Sequence, residues 1–175
     1  MYAMFKPGCM KLRKNLMSYN LCDPAYYNED VIDIGYDLSR FHKAQEKEYE
    51  TALSEIRSGK KRSHWMWYIF PQLKGLGYSD MADYYGVSGI DEAKAYLADP
   101  LLKGRLVEIA SALLGVESDN PREVMGSPDN LKLRSCMTLF AMADPEEEIF
   151  RKVLDKFFNG EMDKKTMMML DTGRT

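Results

Sequence analysis

Residues 135–143 carry no charge, and at the helical period their apolar groups, among them Met137, Leu139, Phe140, Ala141 and Met142, point in every direction. A helix that is apolar all round is buried all round. The rest of the chain therefore has to pack around it. This predicts an all-α fold: a compact multihelical single domain around a central apolar helix at about 131–143. The length of 175 residues suits one such domain, which at this size buries roughly 70% of its unfolded surface. Arg134 falls on the first turns of the central helix. Its guanidinium needs either solvent or partners, because an unpaired charge inside a protein is strongly disfavoured.

The flanking segments read as amphipathic helices. Leu38, Phe41, Gln45, Tyr49, Ala52, Leu53 and Ile56 form one face, with Asp37 as a candidate cap and Gly59 just past the end. Asp99-Pro100, Asn120-Pro121, Ser127-Pro128 and Asp144-Pro145 each combine a capping side chain with a proline suited to the first helical position. Apolar stripes follow two of them, one from Leu101 to Leu114 and one from Ile149 to Phe158, the second stopped by Gly160. Glu146, Glu147 and Glu148 would then sit in a first turn, where acidic groups favour the helix dipole. Shorter helices are expected over 79–85, 91–98 and 163–170. Residues 1–30 mix basic residues with Pro7, Gly8 and Pro24 without sustained periodicity, and read as an irregular N-terminal arm. The domain is placed at 36–170 and a tail at 171–175.

Several function classes are disfavoured. A net charge of −3 makes nucleic acid an unlikely main partner. The longest apolar run, 65–70, is far short of the ~20 residues of a membrane helix, and no secretory leader is evident. Cys9, Cys22 and Cys136 are widely spaced, and His42 and His64 stand in no metal-ligand pattern, so neither a disulfide framework nor a metal or other cofactor is expected. The expected setting is cytoplasmic, with a monomer favoured.

Chemistry-bearing residues concentrate in one stretch, Ser63-His64-Trp65-Met66-Trp67-Tyr68-Ile69-Phe70-Pro71-Gln72-Leu73-Lys74-Gly75-Leu76-Gly77. It holds both tryptophans and one of the two histidines. Phe70 precedes a proline, which ends any helix there. Neither Gly59-Lys60 nor Gly75-Leu76-Gly77 completes a phosphate-loop or dinucleotide pattern; the second suits a tight turn feeding a helix capped by Ser79. Arg57, Lys60, Lys61 and Arg62 lie beside the aromatics, as in some single-strand binders, although a solvated loop face explains them as well. His64 is the side chain here whose ordinary titration lies near neutrality, yet no nucleophile or carboxylate pair can be assigned to it.

The same stretch closely resembles the hallmark of the domain of unknown function 1810 family. So do Gly126-Ser127-Pro128-Asp129, Leu131-Lys132-Leu133-Arg134-Ser135, Met137-Thr138-Leu139-Phe140, Asp91-Glu92-Ala93-Lys94-Ala95-Tyr96-Leu97 and the 37–41 opening. The resemblance spans roughly 36–170 and leaves out the arm. It implies a multihelical single domain of bacterial-type cytosolic proteins, with no established activity to carry over. Cys136 stands where serine is expected.

Two functions compete. The first is a small-molecule site, for an anionic or nucleotide-like ligand and with catalysis left open, in which His64, Trp65, Trp67, Gln72 and Arg134 converge on one partly open cavity. Aromatic walls with a few polar groups are what such pockets need. The alternative is a protein- or peptide-binding helical module without catalysis, using an apolar surface such as Met167-Met168-Met169.

Overall fold

In the computed structural model the described residues are 35–172. The chain divides between Ile34 and Gly35, and all described residues belong to the second unit. The expected arm and two of the three cysteines, Cys9 and Cys22, lie outside them.

Nine helices make up the described architecture, with no strand among the described residues beyond one bridge. The first, α1 (Ser39–Arg57), buries Phe41, Gln45, Tyr49, Ala52, Leu53 and Ile56 as the stripe requires. The Asp37 carboxylate accepts from the Ser39 amide at 2.9 Å. Gly59 takes φ +77°, the left-handed turn that releases the chain. Next come α2 (Met66–Ile69), α3 (Asp80–Tyr84) and α4 (Ile90–Ala98). Helix α2 stops before Phe70-Pro71, and the Ser79 hydroxyl accepts from the Ala82 amide to start α3.

Two of the proline-marked starts are real. Asp99 accepts from the Leu101 and Leu102 amides and Pro100 opens α5 (Pro100–Gly115). Asn120 accepts from the Arg122 amide and Pro121 opens α6 (Pro121–Met125). The other two are not. Helix α7 (Asp129–Ala143) begins one residue later than Ser127-Pro128 implies and has no side-chain cap. Its first amides go to the Gly126 and Pro128 carbonyls. Helix α8 (Ile149–Phe158) begins four residues after Pro145, because the Asp144 carboxylate is taken by Lys103 at 3.2 Å and a turn intervenes. Glu146, Glu147 and Glu148 therefore precede the helix. Its end is set by Asn159 as well as Gly160, both left-handed. The last helix, α9 (Lys164–Thr172), runs two residues into the expected tail.

Helix α7 is the centre. From Ser135 to Ala143 every residue except Met142 is buried. It packs against α4, α6, α8 and α9, while α5 bridges α1, α4 and α8. Tyr96, Phe140 and Phe150 form a ladder of rings 5.2 and 5.7 Å apart through this core. Burying these aromatics supplies a large share of the apolar stabilisation.

Candidate functional site

The site is built outward from Glu55. This carboxylate lies on the buried face of α1, and it accepts from the Arg62 amide at 2.7 Å, the Ser63 amide at 3.0 Å, the Trp65 indole Nε1 at 2.9 Å and the Ser63 hydroxyl. Burial alone would raise its pKa. The hydrogen bonds outweigh burial and hold the carboxyl at about 2. Four donors on one carboxylate fix residues 62–65, and with them the entry to α2. Trp65 is fully buried as a result, with its ring 6.1 Å from that of Phe70.

Beyond α2 the chain pairs Leu73 with Val87 in a parallel bridge. The Lys74 amide donates to Val87 and the Val87 amide to Gln72, both at 2.8 Å. This closes a loop over 75–86 that carries α3. Arg40 holds its far end: it donates to the Gly86 carbonyl at 3.2 Å and pairs with Glu92, which also accepts from the Ser88 amide. Those bonds outweigh the effect of burial and lower the Glu92 pKa. Gly77 and Gly86 are small for steric reasons. A Cβ on Gly77 would sit 2.7 Å from the Ala82 Cβ, and one on Gly86 2.8 Å from both the Ala82 carbonyl oxygen and the Lys74 Cα.

Beside this loop lies a shallow open cleft whose enclosed space is only about 10 Å³, lined by Trp67, Gln72, Leu73, Gly77, Ala82, Tyr85 and Gly86. Tyr85 anchors its wall, with ring contacts to Phe41 at 6.0 Å, Tyr68 at 5.2 Å and Tyr84 at 4.8 Å. The Gln72 amide makes no hydrogen bond within the described residues. Beside the Trp67 ring, outside the cleft lining, stands a charged cluster. Lys61 and Lys132 each bond one oxygen of Asp129 at 2.8 Å, and the Lys132 ammonium lies 4.5 Å from the Trp67 ring centroid. The two ammonium groups outweigh the desolvation of Asp129 and lower its pKa.

The five residues expected to converge do not share one cavity. Trp67 and Gln72 line the same cleft. Trp65 is committed to Glu55 in the core. His64 is exposed, outside the cleft lining, and without a hydrogen-bond partner among the described residues. Arg134 bonds the Glu161 carboxylate at 2.8 Å and the carbonyls of Glu161 and Met162 at 2.9 and 3.2 Å, so its charge fastens the α8–α9 connection to α7. Sequence reasoning missed Glu55, Tyr85, Lys132 and Asp129. For Glu55 a signal was there: it lies three residues from Ala52 on the apolar stripe, where a carboxylate needs donors. For the others it was not, since only the fold brings Asp129 and Lys132 against Lys61 and Trp67, and Tyr85 against Tyr68.

The family described as a protein of unknown function, DUF1810, matches residues 35–170. The chain belongs to this family. Among solved structures, that of the conserved hypothetical protein Rv1873 from Mycobacterium tuberculosis is similar, with 44% identity and a TM-score of 0.76 over 78% of this chain and 97% of that one. No curated protein matches. This DUF1810 chain has no helix long and apolar enough to cross a membrane among its described residues, and no cluster of potential metal ligands there either.

Proposed function

We propose that this protein binds a small molecule, anionic or nucleotide-like, in the cleft between Trp67 and Tyr85. One observation carries the reading: Trp67, Gln72 and Tyr85 line the same cleft, and the Trp67 ring also carries the Lys132 ammonium at 4.5 Å from its centroid. The Gln72 side chain is half-buried with its amide open to solvent, so a ligand in the cleft displaces water there rather than an internal partner. His64 keeps an open role, because it is exposed but stands apart from the lining. We place the activity in the cytoplasm and in a monomer. Nucleic acid is the weaker partner, since Arg57 and Lys61 of the basic cluster are engaged by Glu108 and Asp129.

Intrinsic fluorescence tests the reading. A panel of anionic metabolites and nucleotides should contain a compound that changes tryptophan emission saturably, and Gln72→Ala should weaken it by about tenfold, the size of one good polar contact. If no compound on the panel changes the emission, the reading is wrong. A second reading has its own observation. Tyr78 is 96% exposed, and Met81, Tyr84 and Met168 are exposed too. With Lys165 5.8 Å from the Tyr78 ring, α9 adjoins this loop. Such an apolar surface suits a protein or peptide partner, and a silent panel together with a partner whose binding Tyr78→Ser abolishes would favour it.

A further inference from the structure

We infer that the loop over 75–86 is a lid that opens as one unit, separately from the core, and that Arg40 is its latch. As the gate to a ligand site the lid rests on the proposed function; the motion itself does not. From Gly75 to Tyr85 no residue is buried, whereas Leu73 on one side and Gly86 and Val87 on the other are. Helix α3, inside this stretch, is five residues long and buries none of them. A helix so short is unstable in water unless packing holds it. Among its apolar side chains only Leu76 and Tyr85 pack against the core, while Tyr78, Met81 and Tyr84 are exposed.

The stretch is nonetheless one piece. Its ends meet, since Leu73 pairs with Val87 and a Cβ on Gly86 would lie 2.8 Å from the Lys74 Cα. It also packs on itself: the same Cβ would meet the Ala82 carbonyl, and one on Gly77 would meet the Ala82 Cβ. A compact loop with joined ends and its own packing is an Ω-loop. Units of this kind, with few buried contacts, open locally at a fraction of the cost of global unfolding.

The cleft is the seam beneath this loop. Trp67, Gln72 and Leu73 form its floor, and Gly77, Ala82, Tyr85 and Gly86 belong to the loop. With the loop down, the enclosed space of about 10 Å³ admits no more than a water. Displacing the loop is what uncovers the floor. Arg40 opposes this from α1, because its guanidinium donates to the Gly86 carbonyl at 3.2 Å and pairs with Glu92 of α4. Two backbone bonds of the bridge, from Lys74 to Val87 and from Val87 to Gln72, break with it when the lid opens.

Thiol labelling of the full chain tests this. Leu73 lies in the floor and is 5% exposed, so Leu73→Cys places a thiol under the lid. Cys136, completely buried in α7, is the internal reference once Cys9→Ser and Cys22→Ser remove the other two thiols. Iodoacetamide should label position 73 at least about a hundredfold faster than Cys136, because the second waits for global unfolding. Adding Arg40→Gln should speed labelling at position 73 by about tenfold or more, the worth of one charge-assisted hydrogen bond, and leave Cys136 unchanged. Amide exchange gives the same reading without a new cysteine: the completely buried Val87 should exchange well before Leu139 and Phe140 of α7. Equal labelling of both thiols, an Arg40→Gln effect shared by both, or a Val87 amide that exchanges only together with α7 overturns the inference. An opening lid with a silent compound panel keeps the lid and removes the ligand reading; a lid fixed to the core, alongside a compound that binds, does the reverse.

Discussion

Glu55 decides the geometry of the tryptophan segment with one carboxylate. Its oxygens accept from two backbone amides, a hydroxyl and an indole. Glutamine keeps the shape but turns an amide toward donors, so Glu55→Gln should cost about 2–3 kcal/mol in chemical denaturation, the range for hydrogen bonds to a charged group. The pH dependence has a definite sign. The folded-state pKa, about 2, lies below the ordinary 4.5. The stabilisation from Glu55 is thus complete above the ordinary value and is lost as pH falls toward 2. The stability gap between the wild-type and Glu55→Gln proteins should therefore narrow steadily below about pH 5. A gap that stays constant down to the acid limit would show that the carboxylate's charge is irrelevant to the segment.

Between elements, one side chain closes a helix that its own sequence leaves open. Lys156 of α8 donates to the carbonyls of Leu113 and Leu114 at 3.1 and 3.0 Å and to that of Val116, which together form the end of α5. A cation at a helix C-terminus is favoured by the dipole and satisfies orphan carbonyls. Lys156→Met should lower stability by about 1–3 kcal/mol, and amide exchange should quicken at the end of α5 before it does elsewhere. In the cleft loop, Gly86→Ala drives a methyl against the backbone of Ala82 and Lys74. It should destabilise by about 1–3 kcal/mol, and it should impair ligand binding more than it impairs folding. These elements also show what local sequence can and cannot reveal. Asp99-Pro100 and Asn120-Pro121 were legible because cap and first helical residue are adjacent in the chain. Asp144 was misleading because a lysine on another helix, Lys103, holds the carboxylate away from the cap position. No local pattern contains that competition.

At the scale of the molecule, the uncharged stretch of α7 announced the core. Leu139, Phe140 and Ala141 are completely buried, and Phe140→Ala should cost about 3–5 kcal/mol by differential scanning calorimetry. The candidate site was half legible. Trp67 and Gln72 belong to one continuous segment and meet in one cleft. Arg134 was assigned to it because a charge on an apolar helix needs a partner, which is sound, but the partner turned out to be the 161–162 backbone and Glu161 rather than a pocket. Lys132, two residues earlier, points its charge at Trp67 instead. Choosing between such neighbours takes the tertiary contact of Lys132 with Trp67, which periodicity alone does not supply. The two indoles provide the most direct test, because one is in the cleft lining and the other is locked to Glu55. In a nitrogen–proton correlation spectrum titrated with a binding compound, the Trp67 indole and the Gln72 side-chain amide should shift together and saturate, while the Trp65 indole stays in place. Equal movement of both indoles, or shifts confined to the exposed face around Tyr78 and Met81, would contradict a ligand site in this cleft.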